Sequence, residues 1–317
     1  MDTLPNSQVP AKYAREIKRM LKEKNAVLLA HYYQEPQIQD LADFVGDSLS
    51  LANEAAKSEA KLIVFAGVHF MAETVKIMNP DKTVVVPDLS ASCSLAESCT
   101  ADSFKEFIDS HPDHTVVSYI NTTADVKAIS DIICTSSNAE KIIRSIPEEQ
   151  PIIFGPNKNM GKYLNEKTGR NMLLWDGICV VHEAFALNKI TELVKQYPEA
   201  KIIAHPESHA SILKIASFIG STSALIKYAR EDNATTYIVA TEVGILHKMK
   251  MQVADKKLIP APIAEDNSCA CSECAYMKLN TLEKLYYCIK NENPKVELTE
   301  QLRTSALRPI ERMLEIS

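Results

Sequence analysis

Leu28-Leu29-Ala30-His31-Tyr32-Tyr33, Val117-Ser118-Tyr119-Ile120-Asn121 and Ile203-Ala204-His205-Pro206-Glu207 follow one pattern, written three times along a chain of 317 residues. In each, an apolar run of strand length ends in side chains that can hydrogen-bond or move a proton. From position 31 to 119 is 88 residues, and from 119 to 205 is 86. Further on in each third, apolar residues run into small and hydroxyl residues that open a helix: Ala66-Gly67, Thr135-Ser136-Ser137 and Gly220-Ser221-Thr222. Each third closes on a loop with a cysteine, Cys93, Cys179 or Cys274, at steps of 86 and 95. Identity between the thirds is negligible, so the repeat is one of pattern.

Around these stretches the predicted strands are Ala26–Tyr33, Leu62–Phe65, Thr83–Val86, Val116–Ile120, Ile132–Cys134, Ile152–Phe154, Leu173–Trp175, Ile202–Ala204, Thr236–Ala240 and Lys257–Ile259. Helical spacing lies between them, as in Leu49–Lys57, Ala139–Ile146, His182–Gln196 and Ser223–Glu231. The strands are apolar throughout rather than at alternate positions, which predicts parallel sheets covered on both faces. The expected fold is α/β, with three similar modules: 1–112 with Cys93, 113–196 with Cys179, and 197–317 with Cys274 and a C-terminal helix packing back on the first. Ligands of parallel α/β sheets sit beyond the carboxyl ends of the strands, where all the triplets above fall. Modules set around one axis would direct those ends into a shared central cavity; a linear string of domains fits the spacing as well.

Hydrophobic residues make up 46% and charged residues 24%, a globular composition. The net charge of −6 is spread without like-charge blocks, which argues against a nucleic-acid partner. No apolar run approaches the ~18 residues of a membrane span. Met1 to Lys24 starts polar and continues as an amphipathic basic helix, not a secretory signal. The expected location is the reducing cytoplasm, where the eight cysteines are ligands, redox groups or buried thiols rather than disulfides.

Cys269, Cys271 and Cys274 form the only tight group, but no second pair completes a common zinc site or a ferredoxin-type run. Cys134 ends an apolar strand and Cys288 lies on the last predicted helix, so both read as buried hydrophobes. Cys93 and Cys179 each follow a strand and precede a helix, whose positive end would favour a thiolate. For these two, a shared metal site and buried structural thiols both remain open from the residues alone.

Ala30-His31-Tyr32-Tyr33-Gln34, Gly46-Asp47-Ser48-Leu49, Ser118-Tyr119-Ile120-Asn121 and Cys134-Thr135-Ser136-Ser137-Asn138-Ala139 closely resemble motifs of the quinolinate synthases. So do His205-Pro206-Glu207, Gly220-Ser221-Thr222, Thr241-Glu242-Val243-Gly244 and Cys274-Ala275-Tyr276-Met277-Lys278-Leu279-Asn280. The resemblance runs in order from about residue 26 to 290. It implies a [4Fe-4S] cluster on Cys93, Cys179 and Cys274, with one iron left open. Ser92 departs from the family, where glycine often precedes the first ligand. Cys99, Cys269 and Cys271 match no ligand position, and Cys271 and Cys274 are also spaced for a disulfide that would withdraw a ligand.

The reaction implied is condensation of iminoaspartate with dihydroxyacetone phosphate to quinolinate, with release of phosphate and water. It also implies a functional link to the enzyme that makes iminoaspartate. An open iron would act as Lewis acid. The resemblance suggests Glu207 for proton transfer, with His31, Tyr33 and His205 nearby. Without it, a His or Tyr at a strand end reads as merely hydrogen-bonded. Ser48, Ser136 and Thr222 stand at or near predicted helix starts and could bind anions or act as plain N-caps, and Tyr119 and Asn121 add donors. Other readings are a hydro-lyase with the same cluster, an iron–sulfur sensor or carrier, and a zinc-stabilised structural protein.

Overall fold

The computed structural model of the chain describes residues 9–264 and 272–317; Cys269 and Cys271, and so the disulfide for which Cys271 and Cys274 are spaced, lie outside them. All ten predicted strands form, joined by two more. The twelve among the described residues are β1 (Ala26–His31), β2 (Phe44–Gly46), β3 (Leu62–Ala66), β4 (Thr83–Val85), β5 (Thr115–Tyr119), β6 (Ile132–Cys134), β7 (Ile152–Gly155), β8 (Leu173–Leu174), β9 (Lys201–Ala204), β10 (Phe218–Ile219), β11 (Thr236–Ala240) and β12 (Lys257–Pro260). They make three four-stranded parallel sheets of one topology: β2-β1-β3-β4, β6-β5-β7-β8 and β10-β9-β11-β12. The repeat of pattern is therefore a repeat of fold.

The two strands missed in the sequence, β2 and β10, are edge strands too short to carry a periodicity. Recognising them corrects the alignment of the modules. The counterpart of Thr135-Ser136-Ser137 and Gly220-Ser221-Thr222 is Gly46-Asp47-Ser48 after β2, not Ala66-Gly67, which ends the third strand of its sheet. A clasp repeats too. Asp43 Oδ2 accepts from Leu28 N at 2.8 Å and Asp131 Oδ2 from Val116 N at 2.7 Å, and each aspartate's own N–H returns a bond to the same strand residue. In the third module Ser217 N keeps only the backbone half, to Ile202 O.

The chain divides into two compact units, residues up to 92 with 275–299, and 93–274 with 300–317. In the first, the amphipathic helix Val9–Glu23 lays Ile17, Met20 and Leu21 on the β1–β4 sheet, the i, i+3, i+4 stripe of a surface helix. Cys288 lies buried in the same core, on Leu282–Asn291, which packs against Val9–Glu23. The sequence places it on the last helix; the structure puts it on the last but one. The last helix, Glu300–Ile316, belongs to the second unit and packs on Ala124–Ala128 and β6.

The second unit holds the other two sheets. Val116, Val126, Ile153, Phe104 and Cys99 fill one core, and Ile190, Ile202, Ile212, Ile238 and Ala240 another. The single helix expected over His182–Gln196 is two, Val180–Glu183 and Leu187–Gln196. The backbone between them turns instead to residues 262–264: Ala186 N donates to Pro262 O, and Ala264 N to Ala184 O. Tertiary pairing overrides local propensity there. No helix among the described residues is long and apolar enough to cross a membrane.

Candidate metal and catalytic centre

Cys93, Cys179 and Cys274 all belong to the second unit, and all three are half-buried, whereas Cys99, Cys134 and Cys288 are fully buried in apolar cores. Cys93 caps the helix Ser94–Ser98, and Cys179 caps Val180–Glu183. The hydroxyl of Ser94 joins these two loops, accepting from Val180 N at 3.3 Å and donating to Ile178 O at 3.4 Å. Gly177 makes the second loop feasible: a Cβ there would stand 2.4 Å from Pro156 O. Cys274 is fixed from behind, its N–H donating to Oε1 of the buried Glu242, while Glu242 Oε2 takes Gly244 N.

The thiols lie near enough to act on one another. The charges of Cys93 and Cys274 push the Cys179 thiol up, and that of Cys274 pushes up Cys93. Burial is the larger cause in both, followed by the charge of Glu207. Cys93 is driven to about 12 despite the Leu95 and Ala96 N–H groups. The thiolate expected from the helix ends is therefore not favoured without a metal, because desolvation outweighs the backbone donors. Three soft donors that act on one another where burial penalises the free thiolate fit a metal cluster whose cations replace the protons.

Glu207 is the hub. Its Oε1 accepts from the buried Tyr119 hydroxyl at 2.7 Å, and Oε2 lies 3.5 Å from His182 Nδ1. His205 Nδ1 is 3.6 Å from Oε1 and accepts from Glu207 N, so a neutral His205 carries its proton on Nε2. Burial raises the carboxyl to about 7, against the pull of Tyr119, Cys179 and Asn157. Asn157 Nδ2 has no hydrogen bond within 3.5 Å but lies near enough to exert that pull. The Asn121 amide points at Cys93 Sγ from 4.0 Å. Lys127, fully buried, donates from Nζ to Thr122 O and so holds the loop that carries Tyr119 and Asn121.

The sequence profile described as "Quinolinate synthetase A protein" matches residues 15–315. The quinolinate synthase of Nostoc punctiforme is 58% identical over 310 residues, 98% of this chain and 95% of the relative. That of Gloeothece citriformis is 55% identical over 312 residues (98% and 96%), and that of Thermosynechococcus vestitus 54% over 313 (99% and 98%). The chain belongs to the quinolinate synthase family.

As a quinolinate synthase family enzyme, the chain brings together in its second unit Tyr119, Asn121, His205, Glu207 and the three cysteines expected from the sequence. His31, Tyr33 and Ser48 lie in the first unit. There Tyr33 N donates to His31 Nδ1 at 3.2 Å, the same local bond as between Glu207 and His205. Burial, opposed by Asp47, lowers His31 to about 4. Lys278 Nζ holds Tyr33 O, and Gln34 Nε2 donates to Met277 O.

None of the three hydroxyl residues is a cap. Asp47 caps the helix of Ser48 and Ser221 that of Thr222, while Asn138 stands between Ser136 and the helix Ala139–Ser145. Side-chain capping by Asp47 and Ser221 spares the hydroxyls of Ser48 and Thr222 that task, whereas Asn138 makes no capping bond and its Oδ1 accepts from Thr135 instead.

Sequence reasoning missed His182, Thr241 and Glu242. His182 Nδ1 lies 3.2 Å from Cys179 Sγ, and its Nε2 2.9 Å from Thr241 Oγ1. The signal was there in Cys179-Val180-Val181-His182: an i, i+3 pair at a helix start shares one face.

Proposed function

We propose that the chain condenses iminoaspartate with dihydroxyacetone phosphate to quinolinate, releasing phosphate and water, in NAD biosynthesis in the cytoplasm. The relatives' names support this reading. The observation that carries it is the convergence of Cys93, Cys179, Cys274 and Glu207 on one electrostatic neighbourhood. The three cysteines would hold a [4Fe-4S] cluster with one iron open, which supplies a Lewis acid where a hydroxyl must leave.

The chain's own groups move protons and bind anions. A carboxyl near 7 is poised at neutral pH to take a proton at Oε2 or return it, with Oε1 anchored by Tyr119. His205 presents Nε2–H as donor, and Asn121 offers an amide beside Cys93. Ser136 and Thr222 bind carboxylate or phosphate oxygens without a fixed positive charge. His31, Tyr33 and Ser48 keep the substrate and proton-transfer roles that the resemblance implies. A source of iminoaspartate must act alongside this enzyme.

The test is anaerobic reconstitution with iron and sulfide, then assay of quinolinate from freshly generated iminoaspartate and dihydroxyacetone phosphate. A clustered chain that makes none, but dehydrates another hydroxy acid, is a hydro-lyase. One whose iron carries a fourth protein ligand, and which turns over neither substrate, is a carrier.

A further inference from the structure

Cys179, His182 and Glu207 bring three metal-ligating donors together. Their ligand atoms all lie within 4.8 Å of one another. Two of the separations, 3.2 Å from His182 Nδ1 to Cys179 Sγ and 3.5 Å from the same nitrogen to Glu207 Oε2, compare with the edges of a zinc tetrahedron. Bonds of about 2.3 Å to sulfur, about 2.0 Å to nitrogen and about 2.1 Å to oxygen give edges of roughly 3.4–3.6 Å. One soft, one borderline and one hard donor is a set that such an ion accepts, with a fourth position left to water.

The groups behind these ligands are in place as well. A metal-bound histidine donates its other ring N–H to a neighbour, and a bound carboxylate is itself hydrogen-bonded. His182 Nε2 has Thr241 Oγ1 at 2.9 Å, and Glu207 Oε1 has the Tyr119 hydroxyl at 2.7 Å. His182 and Glu207 are almost fully buried, whereas Cys179 is half-buried between the exposed Ile178 and Val180.

We propose that the cluster-free chain binds one zinc-like divalent cation on Cys179 Sγ, His182 Nδ1 and a Glu207 oxygen. Binding replaces the Cys179 thiol proton, which leaves to solvent. The ion takes Glu207 out of use and occupies Cys179, so it blocks cluster assembly. Binding is independent of the function proposed above; the block rests on Cys179 being a cluster ligand.

The experiment titrates the metal-stripped full-length chain anaerobically with Co²⁺ as optical probe and Zn²⁺ as competitor. Wild type should bind one ion more than Cys179→Ser, with a sulfur-to-cobalt charge-transfer band absent from that variant. His182→Gln and Glu207→Gln should bind that ion at least tenfold more weakly, while Cys93→Ser and Cys274→Ser retain it. Should His182→Gln fail to fold, the isosteric Glu207→Gln decides. Equal affinity in wild type and Glu207→Gln overturns the proposal. So does loss of the ion in Cys93→Ser or Cys274→Ser, which would assign it to a set of thiolates instead. Zinc-loaded wild type should then take up less iron and sulfide than the stripped chain. If the ion binds as described but uptake is unaffected, Cys179 is not a cluster ligand and the functional reading fails, not the zinc site.

Discussion

The Tyr119 hydroxyl donates a 2.7 Å hydrogen bond to Glu207 Oε1 across 88 residues of chain. Tyr119 ends the first strand of the second module, and Glu207 follows the first strand of the third. The bond thus joins the strand ends of two repeats, and it opposes the burial that raises the carboxyl.

Tyr119→Phe should therefore push Glu207 above about 7 and move the limb of the pH–rate profile that reports it to higher pH. Turnover at neutral pH should fall roughly ten- to a hundredfold, the worth of a hydrogen bond to a charged group. An unmoved profile in Tyr119→Phe shows that Glu207 is not the titrating group.

Glu207→Gln should keep fold and cluster and lose turnover by ~10²–10⁴-fold. It also isolates a pH effect on stability in the cluster-free protein. The folded pKa, about 7, lies above the ordinary 4.5, so the wild-type carboxyl contributes most stability below pH 4.5 and loses it as pH rises through 7. The loss is on the order of 3 kcal/mol. Burial lowers His182 to about 3 and His31 to about 4, with the opposite sign: their contribution is lost as pH falls below 6.5. Wild type and variant share the His31 part, so the difference between their denaturation curves reports Glu207 together with its coupling to His182. A difference constant from pH 4 to 8 contradicts the raised carboxyl.

Cys93→Ala, Cys179→Ala and Cys274→Ala should each abolish the cluster, since no other described thiol lies outside an apolar core. Cys134→Ala and Cys288→Ala should retain iron and cost about 0.5–3 kcal/mol in stability. Iron near wild type in any of the first three would remove that residue from the ligand set.

Gly177→Ala tests the loop rather than the ligand. Its Cβ would meet Pro156 O at 2.4 Å and Ser98 Oγ at 2.8 Å, and the backbone contact cannot yield without moving the Cys179 loop. Iron per chain should drop while far-UV circular dichroism is preserved. Full iron content would mean that the loop absorbs the methyl elsewhere.

The sequence by itself determined the sheets and the repeat. Continuous runs such as Leu62–Ala66 and Thr236–Ala240 can only be buried on both faces, and the spacing of the His31, Tyr119 and His205 triplets marks the same strand end three times. It also singled out Cys93, Cys179 and Cys274, because the order of motifs is a linear property of the chain. Only the tertiary structure decided the rest. Phe44–Gly46 and Phe218–Ile219 become strands by pairing with a longer neighbour, and the helix after His182 stops where residues 262–264 capture its backbone. His182, Thr241 and Glu242 join the site through side-chain bonds to Cys179, to His182 and to the N–H of Cys274. The state of Glu207 and of the thiols follows from how deeply the fold buries them, and desolvation is set by the neighbours in space, not by those in sequence.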